Sequence, residues 1–177
     1  MAGESHTQLA LPRLDIVPNV LIVVAPYYRD VADALIAGAR ATLGQVGARH
    51  ETIEVPGALE VPTAIRLATN CYRFQGYVAL GCVIRGETSH YDIVAGESAR
   101  GLMDLGLDGH CIGNGILTVD TRAQAMVRAR DQDKGGGAAA ACLHLIALAR
   151  RFKSGGRSLG PDSPPIQIAG EPGRDRA

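Results

Sequence analysis

The chain contains no tryptophan and only two phenylalanines. Large rings therefore cannot build its interior, and the core has to come from Ala, Val, Leu and Ile. There is no surplus of charge either: 18 basic residues stand against 18 acidic ones. A balanced chain offers no general field to attract nucleic acid or an anionic membrane surface. Any anion must be held by local groups. Cysteine is present but unpatterned. Cys71, Cys82, Cys111 and Cys142 show no CxxC spacing and no histidine cluster beside them, so neither a metal site nor a disulfide framework is expected. Three of the four sit inside apolar runs, as small buried thiols do. No apolar run approaches the ~20 residues needed to span a bilayer. The opening MAGESHTQLALPRLDIVPNV lacks the basic and long apolar regions of a signal peptide. The expectation is a cytoplasmic protein with reduced thiols.

What is present is an alternation of apolar runs and helical patterns. The 177 residues favour one domain with a real core. VLIVVA (20–25) is continuous and apolar, the mark of a strand buried on both faces. Residues 30–46 place Val31, Leu35, Ile36, Ala39, Leu43 and Val46 at helical intervals, with Gly47 as a stop. Residues 49–55 read as a more polar strand. Residues 59–73 read as a helix that tolerates Pro62 in its first turn. YVALGCVI (77–84) is the third strand. Ser89 is placed to cap the next helix, with Asp92 three residues on, and that helix runs to about Leu107. Residues 111–118 form a fourth strand weakened by Gly113 and Gly115. Thr121-Arg122-Ala123-Gln124 has capping-box form and opens a helix to about Ala129. Residues 135–152 open on three glycines and become an Ala/Leu helix. Residues 1–17 look like an arm, 18–153 like the folded domain, and 154–177 like a disordered tail.

Strands alternating with helices imply a parallel sheet covered on both faces. With four strands the expected order is 2-1-3-4, a flavodoxin-like α/β three-layer sandwich. Its ligand crevice lies where the strand order reverses, at the ends of the first and third strands. That places Pro26-Tyr27-Tyr28 beside Arg85-Gly86-Glu87-Thr88.

The stretch GCVIRGETSHYDIVAGE (81–97) thus falls at the crevice. The amides of Glu87 to His90 lie at a helix N-terminus, which suits a phosphate or carboxylate. Thr88 adds a hydroxyl, and His90 is a side chain that can move a proton. The plainer reading is a capped helix with an exposed histidine on its first turn. In VPGALEVP (55–62), Glu60 is a lone acid among apolar residues. It suits a polyol, or is an ordinary first-turn charge. In IGNGILT (112–118), two glycines flank Asn114, which fits close approach of a ligand or a subunit, or a simple bulge. Arg128 and Lys134 alone read as surface charges.

The segments VPGALEVP, ALGCVIRGETSHYDIVAGESARGL, GNGILTVDTRAQA and DKGGGAAAA resemble the lumazine synthase family in order and spacing, over about residues 18–153. The resemblance implies a transferase of riboflavin biosynthesis. It condenses 5-amino-6-(D-ribitylamino)uracil with 3,4-dihydroxy-2-butanone 4-phosphate, needs no cofactor or metal, and yields 6,7-dimethyl-8-ribityllumazine, phosphate and water. A related reading is a flavin- or lumazine-binding protein on the same scaffold. By resemblance, Tyr27 stacks on the pyrimidine and Ala58, Leu59 and Glu60 line the ribityl chain. Cys82, Val83 and Ile84 meet the pyrimidine largely through backbone. Glu87 and Thr88 form the phosphate turn, and His90 transfers protons. Asn114 and Arg128 enter from a neighbouring subunit, and Lys134 lies near the phosphate region.

The chain also departs from the family's usual pattern. Tyr27 replaces Phe or Trp, Pro26 replaces a polar residue, and Leu59 replaces an aromatic. Asn114 stands where many members carry Phe. The family assembles as pentamers, some packed further into capsids. Capsid formers commonly carry a segment like Gly-x-Lys-x-Gly-Asn between the last two helices, where this chain has ARDQDKGG (129–136). The expectation is a free homopentamer with shared sites, two small-molecule substrates and riboflavin synthase as a candidate partner, and with no nucleic acid or membrane partner.

Overall fold

The structure, a computed structural model, describes residues 9–155. The first eight residues of the expected arm and the expected tail beyond Gly155 lie outside the described residues. In chain order the elements are β1 (Asn19–Val24), α1 (Arg29–Gln45), β2 (Arg49–Glu54), α2 (Glu60–Thr69), β3 (Gly76–Ile84), α3 (His90–Leu107), β4 (Ile112–Val119), α4 (Arg122–Met126), a π-helical turn (Val127–Asp131) and α5 (Lys134–Gly155). The four strands form one parallel sheet in the order β2-β1-β3-β4. This is the expected flavodoxin-like layout.

Burial follows the residue pattern. The two central strands, β1 and β3, are apolar on both faces and almost wholly buried. Edge strand β2 is polar and mostly exposed. One face of the sheet carries α1 and α5, with Leu35, Leu43, Leu143 and Ile146 in its core. The other carries α2 and α3, with Val61, Ile65, Leu102 and Leu105. Cys82, Cys111 and Cys142 are buried and Cys71 is exposed, as the apolar runs around the first three require. In the described part of the arm, Leu11 and Leu14 pack on the α1/α5 core. Arg150 donates to the carbonyl of Ile16 at 2.6 Å.

Helix ends follow local chemistry. Gly47 stops α1 at φ +66°. Its N–H reaches Gly44 O, and that of Ala48 reaches Leu43 O, each at 3.0 Å. These two bonds make a Schellman motif. Gly109 ends α3 the same way. The capping box opening α4 is present: Gln124 N–H donates to Thr121 Oγ1, and Thr121 N–H donates to Gln124 Oε1, each at 3.2 Å.

Three expectations need correction. Helix α2 stops at Thr69, not near residue 73. Successive bonds from Asn70, Cys71 and Tyr72 to carbonyls three residues back tighten the chain, and Tyr72 turns left-handed at φ +52°. The helix opened by Thr121 stays α-helical only to Met126, then widens into the π turn, closed by a bond from Gln132 N–H to Val127 O. Lastly, Ser89 makes no side-chain cap for α3.

The glycines of β4 and α5 allow close approach within the chain. A Cβ on Gly113 would lie 1.8 Å from Ala138 O, and one on Gly135 2.0 Å from Leu35 O. The start of α5 therefore packs backbone to backbone against β4 and α1. That accounts for Gly113 without a ligand, a subunit or a bulge.

Candidate active site

The register creates a step at the crevice. Strand β1 makes its last pairing with β3 at Val24 opposite Leu80, whereas β3 continues to Ile84, paired there with β4 alone. Leu80 accepts from Ala25 on the β1 side, while Tyr77 and Arg85 donate toward β4. In a parallel strand these directions alternate along the chain. Cys82 and Ile84 therefore turn their peptide N–H and C=O groups to the side that β1 has vacated.

Around this exposed edge lies a cleft of about 450 Å³. Four segments meet there: Ala25, Tyr27 and Tyr28 after β1; residues 56–60 between β2 and α2; Cys82, Val83 and Ile84; and the start of α3, with Gly86, Thr88, His90 and Tyr91. Every expected residue of the Tyr27, Ala58-Leu59-Glu60, Cys82-Val83-Ile84 and Thr88/His90 sets lines this one cleft. Tyr27 is 75% exposed and meets Tyr28 edge to face, with ring centroids 5.0 Å apart. Its open face is available to stack on a planar ligand. The Glu60 carboxylate lies over Gly57, so that a Cβ there would come within 2.9 Å of Oε2.

The anion-ready turn is open. The first helical bond of α3 runs from Asp92 N–H to Ser89 O at 3.0 Å, leaving the amides ahead of it without helix partners. Only the N–H of His90 has a side-chain acceptor, Thr88 Oγ1, at a long 3.4 Å. Burial pushes the Cys82 thiol up to about 11, against the opposing pull of Arg122. Cys82 is therefore a neutral wall of the cleft at pH 7, not a nucleophile. Burial also raises the Tyr28 phenol, and nearby Tyr27 and Cys82 add to the shift.

Four expected site residues stand apart. Glu87 is exposed on the turn but does not line the cleft. Asn114 is exposed on β4, its Oδ1 accepting from Ile116 N–H at 2.9 Å. Arg128 is exposed on the π turn and Lys134 half-buried at the start of α5. Those two elements pack on α1, on the opposite side of the sheet from α2 and α3. Among the described residues, no lysine or arginine lines the cleft. Sequence reasoning did not assign a role to Tyr28 or Tyr91, both of which line it. The signal for Tyr28 was its place directly after a buried strand at the switch point.

A parallel sheet with its cleft at the switch point, an exposed peptide edge, a free aromatic face and an open helix N-terminus defines a flavodoxin-like α/β protein. Its crevice sets an open aromatic ring opposite the free amides of a helix start. Comparison with known proteins narrows this. The model of the 6,7-dimethyl-8-ribityllumazine synthase family matches residues 18–150. A 6,7-dimethyl-8-ribityllumazine synthase of Jannaschia sp. (strain CCS1) is 55% identical over 162 residues, covering 90% of this chain and 91% of the relative. The synthase of Novosphingobium aromaticivorans is 58% identical over 134 residues, covering 75% and 96%. That of Methylorubrum extorquens (strain PA1) is 58% identical over 140 residues, covering 75% and 81%. The chain belongs to the 6,7-dimethyl-8-ribityllumazine synthase family, as a transferase of riboflavin biosynthesis. The reading as a binding protein with little turnover is not favoured by these relatives.

Proposed function

We propose that the cleft condenses 5-amino-6-(D-ribitylamino)uracil with 3,4-dihydroxy-2-butanone 4-phosphate to give 6,7-dimethyl-8-ribityllumazine, phosphate and water. The observation that carries this reading is the step between β1 and β3. It leaves the peptide groups of Cys82 and Ile84 facing a cleft that Tyr27 flanks and the open α3 turn closes. The uracil stacks on Tyr27 and hydrogen-bonds along the β3 edge. Its ribityl chain runs past Ala58, Leu59 and Glu60. The phosphate docks on the amides and hydroxyl at Glu87-Thr88.

The amine attacks the ketone to form a carbinolamine, which loses water to give an imine. His90, at the start of α3, moves protons through these steps and through phosphate loss. Attack of the ribitylamino nitrogen on the remaining carbonyl closes the ring, and loss of a second water completes the product. Much of the acceleration comes from holding two reactants in a reactive geometry, for which effective molarities reach ~10⁵ M and above.

A dianion in this cleft needs a permanent cation, and the chain's own lining holds no lysine or arginine among the described residues. The reading therefore includes self-association as a homopentamer, in which Arg128, with Lys134 nearby, reaches a neighbour's phosphate and Asn114 walls a neighbour's pyrimidine pocket. Ile93, Met103 and Leu107 on α3 are 54%, 63% and 80% exposed, and this bare apolar surface supports burial between subunits. Riboflavin synthase stands as the candidate partner that takes the product, and the cytoplasm as the location. No described helix is long and apolar enough to cross a membrane.

The test is to mix both substrates with purified protein and follow lumazine fluorescence, with phosphate release measured in parallel. Stoichiometric formation of both products is expected. Ligand binding without turnover overturns the assignment.

A further inference from the structure

Asp92 is the third residue of α3, the position from which an acid folds back onto free amides at a helix start. Here it does not. Its carboxylate accepts from Arg85 Nη2 at 3.0 Å and Nη1 at 3.4 Å. Arg85 Nε lies 3.6 Å from Asp120 Oδ1, and the guanidinium stacks over the Tyr91 ring, 4.0 Å from its centroid. The Arg85 N–H is fixed to Val119 O at 2.9 Å. One side chain thus ties the end of β3, the first turn of α3 and the loop after β4 together, behind the open turn. Arg85 itself does not line the cleft.

We propose that Arg85 is a positioning residue for phosphate binding: it holds the Asp92 carboxylate away from the amides of residues 87–89, which stay open to the substrate's anion. The two groups compete for one place. A carboxylate in a capping-box position would satisfy the Ser89 amide and set a negative charge beside the incoming dianion. The Ser89 side chain makes no cap bond to the first-turn amides either, so Arg85 is what diverts the charged internal competitor. Asp120 holds the guanidinium from the other side and fixes its direction. This inference rests on the reading of the turn as the phosphate site.

The test uses the full-length protein and R85M, which keeps a stem to pack on Tyr91 but removes the fork. KM for the butanone phosphate should rise roughly tenfold, the scale of a charge at a helix terminus. KM for the ribitylaminouracil and kcat should change much less. Because the ion pair is exposed on both sides, thermal stability should barely move. The decisive arm is R85M/D92N, in which the freed side chain is no longer an anion: KM for the butanone phosphate should return to within about threefold of wild type, since the charge at the helix end is gone. An R85M defect that D92N does not relieve overturns the proposal, because Arg85 would then act as a phosphate ligand or a plain structural strut. An unchanged KM in R85M overturns it too. If R85M does not fold, R85Q carries the same comparison. Failure of wild type to form lumazine would instead remove the reading of the site itself.

Discussion

The two faces of the sheet are built differently. On the α1/α5 face, backbone meets backbone: Gly135 lies against Leu35, and Gly113 against Ala138, with no room for a methyl group. Leu35, Leu43 and Leu143 are fully buried beneath. On the α2/α3 face, only Ser98, Leu102 and Leu105 of the 18-residue α3 are buried, and large apolar side chains stand in solvent. The core of the first face is closed within one chain, although Val127, Leu145 and Phe152 stand exposed on its helices. The second carries the walls of the cleft and an unpartnered surface. The difference sets a face closed by backbone contact against one that carries the cleft, with Arg128 and Lys134 as the functional side chains proposed on the first, and each variant below probes one side of it.

The largest effect should come from Gly135→Val. It forces carbons into the space of the Leu35 carbonyl, which cannot move aside as a side-chain tip can. A loss of at least ~3 kcal/mol is expected, the upper end for overpacking, seen as a lost or greatly lowered unfolding transition by circular dichroism. Wild-type melting would show that the two helices part easily. Next is Leu143→Ala, which empties a fully buried position on the same face. It should cost ~2–5 kcal/mol in denaturant unfolding, with KM for both substrates little changed in the folded fraction.

Arg128→Ala sharpens the comparison from the functional side. Loss of the planar fork should weaken binding of the butanone phosphate by roughly 2–5 kcal/mol, the range for truncating one partner of a buried charge pair. The phosphate-free uracil should be spared, and Arg128→Lys should recover only part of the loss. Equal effects on both substrates, or none, would remove Arg128 from the phosphate site. His90→Ala should lower kcat by no more than about 10²-fold, the lower end for general acid–base help, because an amine and a ketone condense without strong catalysis. Complete loss in a folded variant would give His90 a larger part than proton transfer.

The smallest effect on the fold is expected from Leu107→Ser. This side chain is 80% exposed. Subunit stability should stay within ~0.5 kcal/mol, while light scattering should show weaker self-association. A stability loss rivalling that of Leu143→Ala, in subunits that scattering shows to be dissociated, would erase the contrast between the faces.

Much of this was legible in the chain itself. The strands with continuous apolar runs, the helix with its Gly47 stop and the Thr121 capping box stand where periodicity and local chemistry put them. From strand alternation came the sheet order, and from the order the crevice. What escaped was set by distant partners. Ser89 and Asp92 carry the right spacing for a cap, yet Arg85 and Asp120 decide where the carboxylate goes. The glycines of β4 looked like a ligand approach because Ala138, which they accommodate, is remote in sequence. The early end of α2 and the π turn depend on backbone bonding that composition does not encode. Arg128 and Lys134 gained roles only by resemblance, since nothing within their own segments points to an anion.

The backbone contact between α1 and α5 also bears on how the protein is made. Leu35 is synthesised early and its counterpart Gly135 late, so this contact closes a very long loop. During translation, the side of α1 that meets α5 stays bare until α5 has left the ribosome. Domains generally fold as units as they emerge, and exposed apolar surface makes partly folded chains prone to aggregate. A nascent chain halted before residue 134 therefore holds every segment that lines the cleft but lacks the helix that closes the fold. The enzyme becomes competent, and stops being a liability, at the same late moment.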